Sequence, residues 1–317
     1  MHPHTPICPQ CGAPLPRQAL WRTVTCAYCS AEVTHGERIV RAASFRAAYL
    51  RSRAIDDAST CMVNCDSQQY RTLLPLGYGS TARVVLGQRQ SALAERVVIK
   101  LAHPGATPDR LKREWQVLQQ LQELAHPGAA YFSQRLPQPV LFGLAKETNG
   151  AQAEALVLRN PAGYWGSLAD VIQHHRHGIE ARHAIWIWRR MLEVLGYVHE
   201  AGWIHGRLTP AHLLVQPDDH GILIIGWADA QPQTAHVTPA RDLMQAAWTI
   251  RSILHGGTDE PPIGHGTPAP LAAVLKQASE DAHWCANAGA AGIDQAVKSA
   301  AHAAFGAPQF TPFSPTT

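Results

Sequence analysis

Four cysteines near the amino terminus carry the clearest chemistry in this 317-residue chain: Cys8 and Cys11, then Cys26 and Cys29, two C-x2-C pairs with fourteen residues between them. Four thiolates so spaced can close a tetrahedron around zinc, because two intervening residues let one turn present both sulfurs to one ion. Gly12 suits the turn that follows the first pair. All four positions are cysteine, so no open coordination site remains, and the metal is expected to supply folding energy rather than catalysis. Further reactive types lie downstream: the glycines of Gly77-Tyr78-Gly79, Lys100 at the end of a β-branched run, Glu114, and the stretch HGRLTPAHLLV at residues 205–215. In that stretch the guanidinium of Arg207 cannot accept a proton, and the imidazole of His212 is a poor ligand for a hard, oxygen-seeking cation. His174, His175 and His177 end a helical run, where the helix dipole favours them, so they need no metal to explain them.

The elements that must position these groups can be read from periodicity. Tyr70–Leu76, Arg83–Leu86 and the β-branched Val97–Lys100 read as strands, and Ala155–Leu158 is a short apolar strand. Asp109–Leu124 has Leu111, Trp115, Leu118 and Leu121 on one helical face, and Arg182–Glu200 is a longer apolar-faced helix. Ser167, with Asp170 three residues on, caps the helix Ser167–His174. Leu213–Val215 and Ile222–Ile225 form a hairpin around a turn at Pro217–Gly221, and Asp242–Gly256 is helical. Helices are also expected over Glu37–Ile55, Pro270–Ala282 and Asp294–Phe305, a linker over Asp56–Cys65, and an extended Pro-rich tail. Cys61, Cys65 and Cys285 are read as ordinary cysteines.

Composition bounds the class. Apolar residues at 46% and charged residues at 16% fit a soluble globular protein. A formal charge of only +3 argues against a dedicated nucleic-acid binder, although arginines 17, 22, 38, 41, 46, 51 and 53 concentrate near the amino terminus. No run of eighteen apolar residues exists, the start lacks a secretory apolar core, and the paired cysteines suit a reducing compartment, so a cytoplasmic location away from membranes is expected.

From about Tyr70 the chain resembles the protein-kinase fold over most of its remaining length, and the segment before it resembles a zinc ribbon. The first resemblance rests on GYGSTA at residues 77–82, a G-x-G-x-x-G loop ending in Ala82, followed at the right distance by VVIK at 97–100. It rests also on Glu114, placed as the partner of Lys100, and on YVHEAGWIHG leading into residues 205–215. It implies an α+β, bilobal, protein-kinase-like architecture with a small β-rich lobe and a truncated, larger helical lobe, preceded by the ribbon. The expected boundaries are 1–36 for the ribbon, 37–66 for a helical linker, 67–158 and 159–310 for the two lobes, with a hinge at Arg159–Gly163, and 311–317 for a tail.

The resemblance also makes the departures legible. In H-R-D-x-x-x-x-N the base would stand at Arg207 and a magnesium ligand at His212. The D-F-G aspartate position is Gly226, and Asp229 comes three residues late, so only a backbone slip would deliver it. Only thirteen residues separate Ala228 from Asp242, too few for an activation segment that holds a peptide. His205, Trp227 and Asp242 keep structural roles: Trp227 filling the apolar slot of the phenylalanine and continuing an apolar column with Leu118, Asp242 bracing the loop backbone. A nucleotide, if bound, would meet Gly77, Gly79, Val84, Val98, Lys100 and Glu114. Val98 stands where alanine is usual above adenine, so ATP is not expected as a working ligand, nor magnesium as a cofactor.

The reading that follows is a bacterial-type pseudokinase without enzymatic activity, a scaffold or allosteric regulator with a structural zinc. It would bind protein partners such as an active kinase, a phosphatase or another signalling protein. Two rivals stand beside it: an atypical ATP-dependent serine/threonine kinase or nucleotidyl transferase with metal on Asp229 or Asp218, and a zinc-ribbon adaptor associated with nucleic acid.

Overall fold

The computed structural model describes residues 8, 13–15, 24–30, 32–33, 61–91, 95–107, 109–161, 163–218, 220–257, 261–264 and 266–316. Cys11, the arginines before residue 60 and the helix expected over Glu37–Ile55 lie outside the described residues. The chain divides into two compact units, one from the described parts of Met1–Arg38, His126–Arg135 and Gly163–Thr317, the other from those of Ile39–Ala125 and Leu136–Ala162.

The second unit is a closed antiparallel barrel. Its strands are β3 (Met62–Cys65), β4 (Gln68–Tyr78), β5 (Ala82–Arg89), β6 (Arg96–Ala102), β7 (Pro139–Glu147) and β8 (Gln152–Arg159), following β1 (Val24–Thr25) and β2 (Glu32–Val33) of the first unit. They run round in the order β3-β4-β5-β6-β8-β7, and β3 pairs with β7 to close it. Strict alternation in RVVIKLA turns Val97, Ile99 and Leu101 into the core with Val63, Cys65, Tyr70, Val85 and Val157. Lys100 therefore faces outward, on the same face as Val98 and directly across from Val84. Helix α1 (Arg110–Gln122) packs on β7 and β8 with Leu111, Glu114, Val117, Leu118 and Leu121 buried. The expected linker is shortened by β3, whose Cys65 is wholly buried and whose thiol is pushed up to about 11 by that burial.

The first unit is mainly helical. After α2 (Ala129–Phe132) come β9 (Gly166–Ser167), α3 (Leu168–His174), α4 (Ala181–Glu200), β10 (Trp203–Ile204), β11 (Leu213–Gln216), β12 (Gly221–Ile224), β13 (Gln231–Pro232), α5 (Pro239–His255), α6 (Ala269–Glu280) and α7 (Ala282–Phe305). Ser167 and Asp170 complete a capping box: the Asp170 amide donates to Ser167 Oγ at 3.2 Å, and the Ser167 amide to Asp170 Oδ2 at 2.7 Å. Helix α4 buries Trp188, Met191, Leu195 and Val198 without residue, which makes it the spine of this unit. The helix expected to begin at Asp294 instead starts at Ala282 and is interrupted only at Gly289.

Three features join distant chain segments within this unit. Residues 126–135, which the sequence groups with the small lobe, pack here: Phe132 stacks on Tyr197 at 4.5 Å and Tyr131 donates to Glu193 at 3.0 Å. Tyr28, between the second cysteine pair, lies under Arg190 at 4.3 Å, Arg189 at 5.0 Å and Lys298 at 5.9 Å. The tail is docked rather than freely extended. Phe310 stacks on His220, Phe313 meets Trp186 edge-on, and the Nε2–H groups of His220 and His175 donate to the carbonyls of Thr311 and Ser314.

Candidate functional site

In the barrel unit the β4–β5 hairpin presents Gly77, Tyr78 and Gly79, and the Gly79 amide donates to the Ala82 carbonyl at 2.9 Å. Pro75 cannot donate to the ladder, and the pairing register shifts between Pro75 and Gly77, so the strand is irregular where the loop begins. Lys100 Nζ reaches both carboxylate oxygens of Glu114, at 2.7 and 2.8 Å, with the Glu114 side chain 4% exposed. A buried carboxylate held this closely is a charge-assisted pair that fixes the direction of the lysine.

In the helical unit the altered loop is held by Asp242, which is wholly buried. Its carboxylate accepts the backbone N–H groups of His205 and Gly206, both at 2.8 Å, and His199 Nε2 at 3.0 Å. One turn along α5, Gln245 accepts the Leu208 amide at 2.8 Å. Gln245 was not singled out from sequence. The i,i+3 spacing of Asp242 and Gln245 on one helix face was the available signal. His205 is spent on structure: its Nε2–H donates to the Ile225 carbonyl at 3.1 Å, Nδ1 accepts the Arg207 amide at 3.3 Å, and the ring stands edge-on to Trp227 at 4.6 Å. Trp227 is fully buried and donates to the Ile224 carbonyl at 2.8 Å.

The decisive geometry follows β12. Gly226 takes a left-handed conformation with φ of 83°, and residues Trp227–Asp229 wind into one 3-10 turn. The turn returns the chain toward the loop, so that the Asp229 carbonyl would meet a Cβ on Gly206 at 3.1 Å. Asp229 Oδ2 then stands 3.6 Å from Arg207 Nη1, with both side chains partly in solvent. His212 is fixed from the other side. Its Nδ1 lies 2.7 Å from the Arg207 carbonyl, which can only accept, so Nδ1 carries the proton and Nε2 the lone pair of the neutral ring. A Cβ on Gly226 would fall 2.9 Å from that Nε2. The imidazole thus fills the space that a side chain at 226 would need. Asp218, the other candidate carboxylate, sits at the turn end of the β11–β12 hairpin, away from Gly226.

The amino-terminal thiols also converge. The sulfurs of Cys8, Cys26 and Cys29 lie within 4.8 Å of one another, and those of Cys8 and Cys29 are 3.6 Å apart. No helix among the described residues is long and apolar enough to cross a membrane.

Comparison with known proteins bears on this geometry. Residues 87–243, just under half of the chain, match the model of the lipopolysaccharide kinase (Kdo/WaaP) family. The match runs from the end of β5, through Lys100 and the altered loop, to the start of α5. No curated protein matches the sequence. Among solved structures, the crystal structure of the kinase domain of PF14_0431 is similar with a TM-score of 0.50 at 13% identity. That similarity covers 61% of this chain and 66% of the kinase domain, and at such identity it speaks for the fold. These matches correct two expectations, the catalytically impaired scaffold and the absence of enzymatic activity, since the matched family is one of kinases and the solved neighbour is a kinase domain. Register counting also takes no account of the 3-10 turn. Counting positions in register assigned no carboxylate to the loop, whereas the turn sets Asp229 beside it. The chain has a mixed α/β, protein-kinase-like fold whose central segment is similar to a family of lipopolysaccharide kinases.

Proposed function

We propose that the chain is an ATP-dependent phosphotransferase, an atypical kinase of the lipopolysaccharide-kinase type with a rearranged acidic site. The observation that carries the reading is the carboxylate of Asp229 beside Arg207. Lys100, aligned by Glu114, is the lysine for the nucleotide phosphates, and the backbone of Gly77–Gly79 covers them. Arg207 offers planar N–H donors to the charge on the transferred phosphoryl group, work a guanidinium does well although it cannot act as a base. His212, with Nδ1–H held by the Arg207 carbonyl, has Nε2 in the correct form to take the proton of an acceptor hydroxyl.

One carboxylate with an imidazole nearby fits magnesium of the kind that keeps most of its waters and takes the rest of its ligands from phosphate, and Asp229 is the residue that would hold it. Bound there, the ion would neutralise charge on the phosphates. The acceptor is a small or glycan hydroxyl rather than a peptide, because only β13 and a short turn separate Asp229 from α5. The three converging thiols, with Cys11, are the ligands of a structural zinc. Tetrahedral zinc–sulfur bonds of 2.3 Å place sulfurs about 3.8 Å apart, close to the 3.6 Å of Cys8 and Cys29.

The test is ATP turnover and nucleotide-dependent thermal shift with and without magnesium, using lipopolysaccharide as acceptor. Wild type is expected to show magnesium-dependent stabilisation and phosphate transfer, with Lys100→Ala and Asp229→Ala each slower by about 10²-fold or more. Absence of any magnesium-dependent nucleotide effect at millimolar ATP would overturn the assignment. Zinc near one equivalent per chain, lost in Cys26→Ser, is the matching expectation for the thiols.

A further inference from the structure

The tip of the β4–β5 hairpin has little to hold it in one shape. Two of its residues are glycine, and Tyr78 between them is 80% exposed. Such a segment, with few buried contacts, belongs to the easily opened part of a structure. One residue outside the loop, His103, meets it in three ways. The His103 amide donates to the Thr81 carbonyl at 3.0 Å. Its ring nitrogen Nε2 lies 2.8 Å from the Gly79 carbonyl and, facing an atom that can only accept, is the donor. The same ring stacks on Tyr78 with centroids 4.2 Å apart and planes 30° from parallel. His103 follows directly on β6, three residues after Lys100, so the strand that carries the lysine also leads into the group that shapes the loop.

We infer that His103 is the positioning residue of the glycine-containing loop, setting the backbone donors that grip the nucleotide phosphates. The role rests on the phosphotransferase reading above. The physical step is in the peptide plane. A trans peptide points its carbonyl and the following N–H in opposite directions. Holding the Gly79 carbonyl toward His103 therefore fixes the side on which Ser80 offers its N–H. Glycine at 77 and 79 would otherwise allow that plane to rotate freely. The Tyr78 ring, stacked on the imidazole, limits the same rotation from the neighbouring residue. His103 need not touch the nucleotide, and its effect should appear only for ligands that carry phosphates.

The experiment compares wild type with His103→Ala and His103→Gln, the latter keeping an N–H donor of similar reach. KM for ATP, kcat and the inhibition constant of adenosine are measured for each, with the melting temperature as a check on folding. For His103→Ala, KM for ATP is expected to rise about fivefold or more, the worth of one net hydrogen bond. The expected kcat and adenosine constant stay within about threefold of wild type by the same measure, and His103→Gln recovers most of the ATP affinity. An unchanged KM in His103→Ala overturns the role, as does a parallel loss of adenosine affinity or an equal loss in His103→Gln. If wild type itself binds no ATP, the phosphotransferase reading fails and this role falls with it. If wild type turns over ATP and only the variant pattern is missing, the reading stands and the role alone is lost.

Discussion

Asp242 gathers three N–H donors at a point that no water reaches. Two come from consecutive peptides, so the carboxylate fixes the direction of the chain as it enters the altered loop. Asparagine has nearly the same shape, yet one of its terminal groups donates instead of accepting. Asp242→Asn must therefore turn an NH2 toward a buried N–H and leave at least one donor unpaired. The expected loss is about 2–3 kcal/mol of stability, measured as a shift of the urea midpoint at constant m-value. The relation between His212 and Gly226 has the same local character. With a Cβ at 226 falling 2.8 Å from the His212 ring, a large side chain at 226 and the imidazole at 212 exclude each other. The two departures from the kinase pattern are one steric arrangement.

At the scale of elements, the capping box of α3 links a short sequence signal to stability. Ser167→Ala removes the oxygen that accepts the Asp170 amide and is expected to lower the melting free energy by about 1 kcal/mol. Elements with this kind of signal were legible from sequence: the β-branched β6, the apolar face of α4, the β11–β12 hairpin, and α5 with Gly256 past its end. Others carried no period. Strand β3 reads MVNC, four residues with Asn64 in the middle, and only barrel closure gives it partners on both sides. Strand β7 opens on Pro139 and contains Gly143, both strand-averse by themselves. The first half of α7 is rich in alanine and glycine, with too few large apolar residues to mark a face. In the candidate site, spacing was enough to set Lys100 on a strand and Glu114 on the helix that brings the two together. Asp229 could not be placed, because its position depends on one left-handed glycine and a tight turn that spacing does not encode.

For the whole molecule, the docked tail makes stability depend on acid. His220 is buried between Trp186, stacked at 4.2 Å, and Phe310 at 4.5 Å. Burial, aided by His183 and Arg190, holds its pKa down to about 3, against the pull of the hydrogen bond to Thr311. His183, tilted against Phe313, is lowered by burial in the same way. The unfolded chain takes up these protons near 6.5 while the folded chain refuses them. The stability they lend is thus complete above about 6.5 and is lost as pH falls from there toward about 3. At pH 5 the loss from His220 alone is about 2 kcal/mol. Urea midpoints at pH 7 and pH 5 should differ accordingly, and His220→Phe should flatten the slope.

The seat of Tyr28 has a consequence in time. Its cysteine neighbours are made well before Lys298, and before Asp294 that pairs with both Arg189 and Lys298. During synthesis the knuckle emerges long before the surface it rests on exists. Contacts so far apart along the chain form late and slowly. Until then the segment around Tyr28 has none of these partners to rest on.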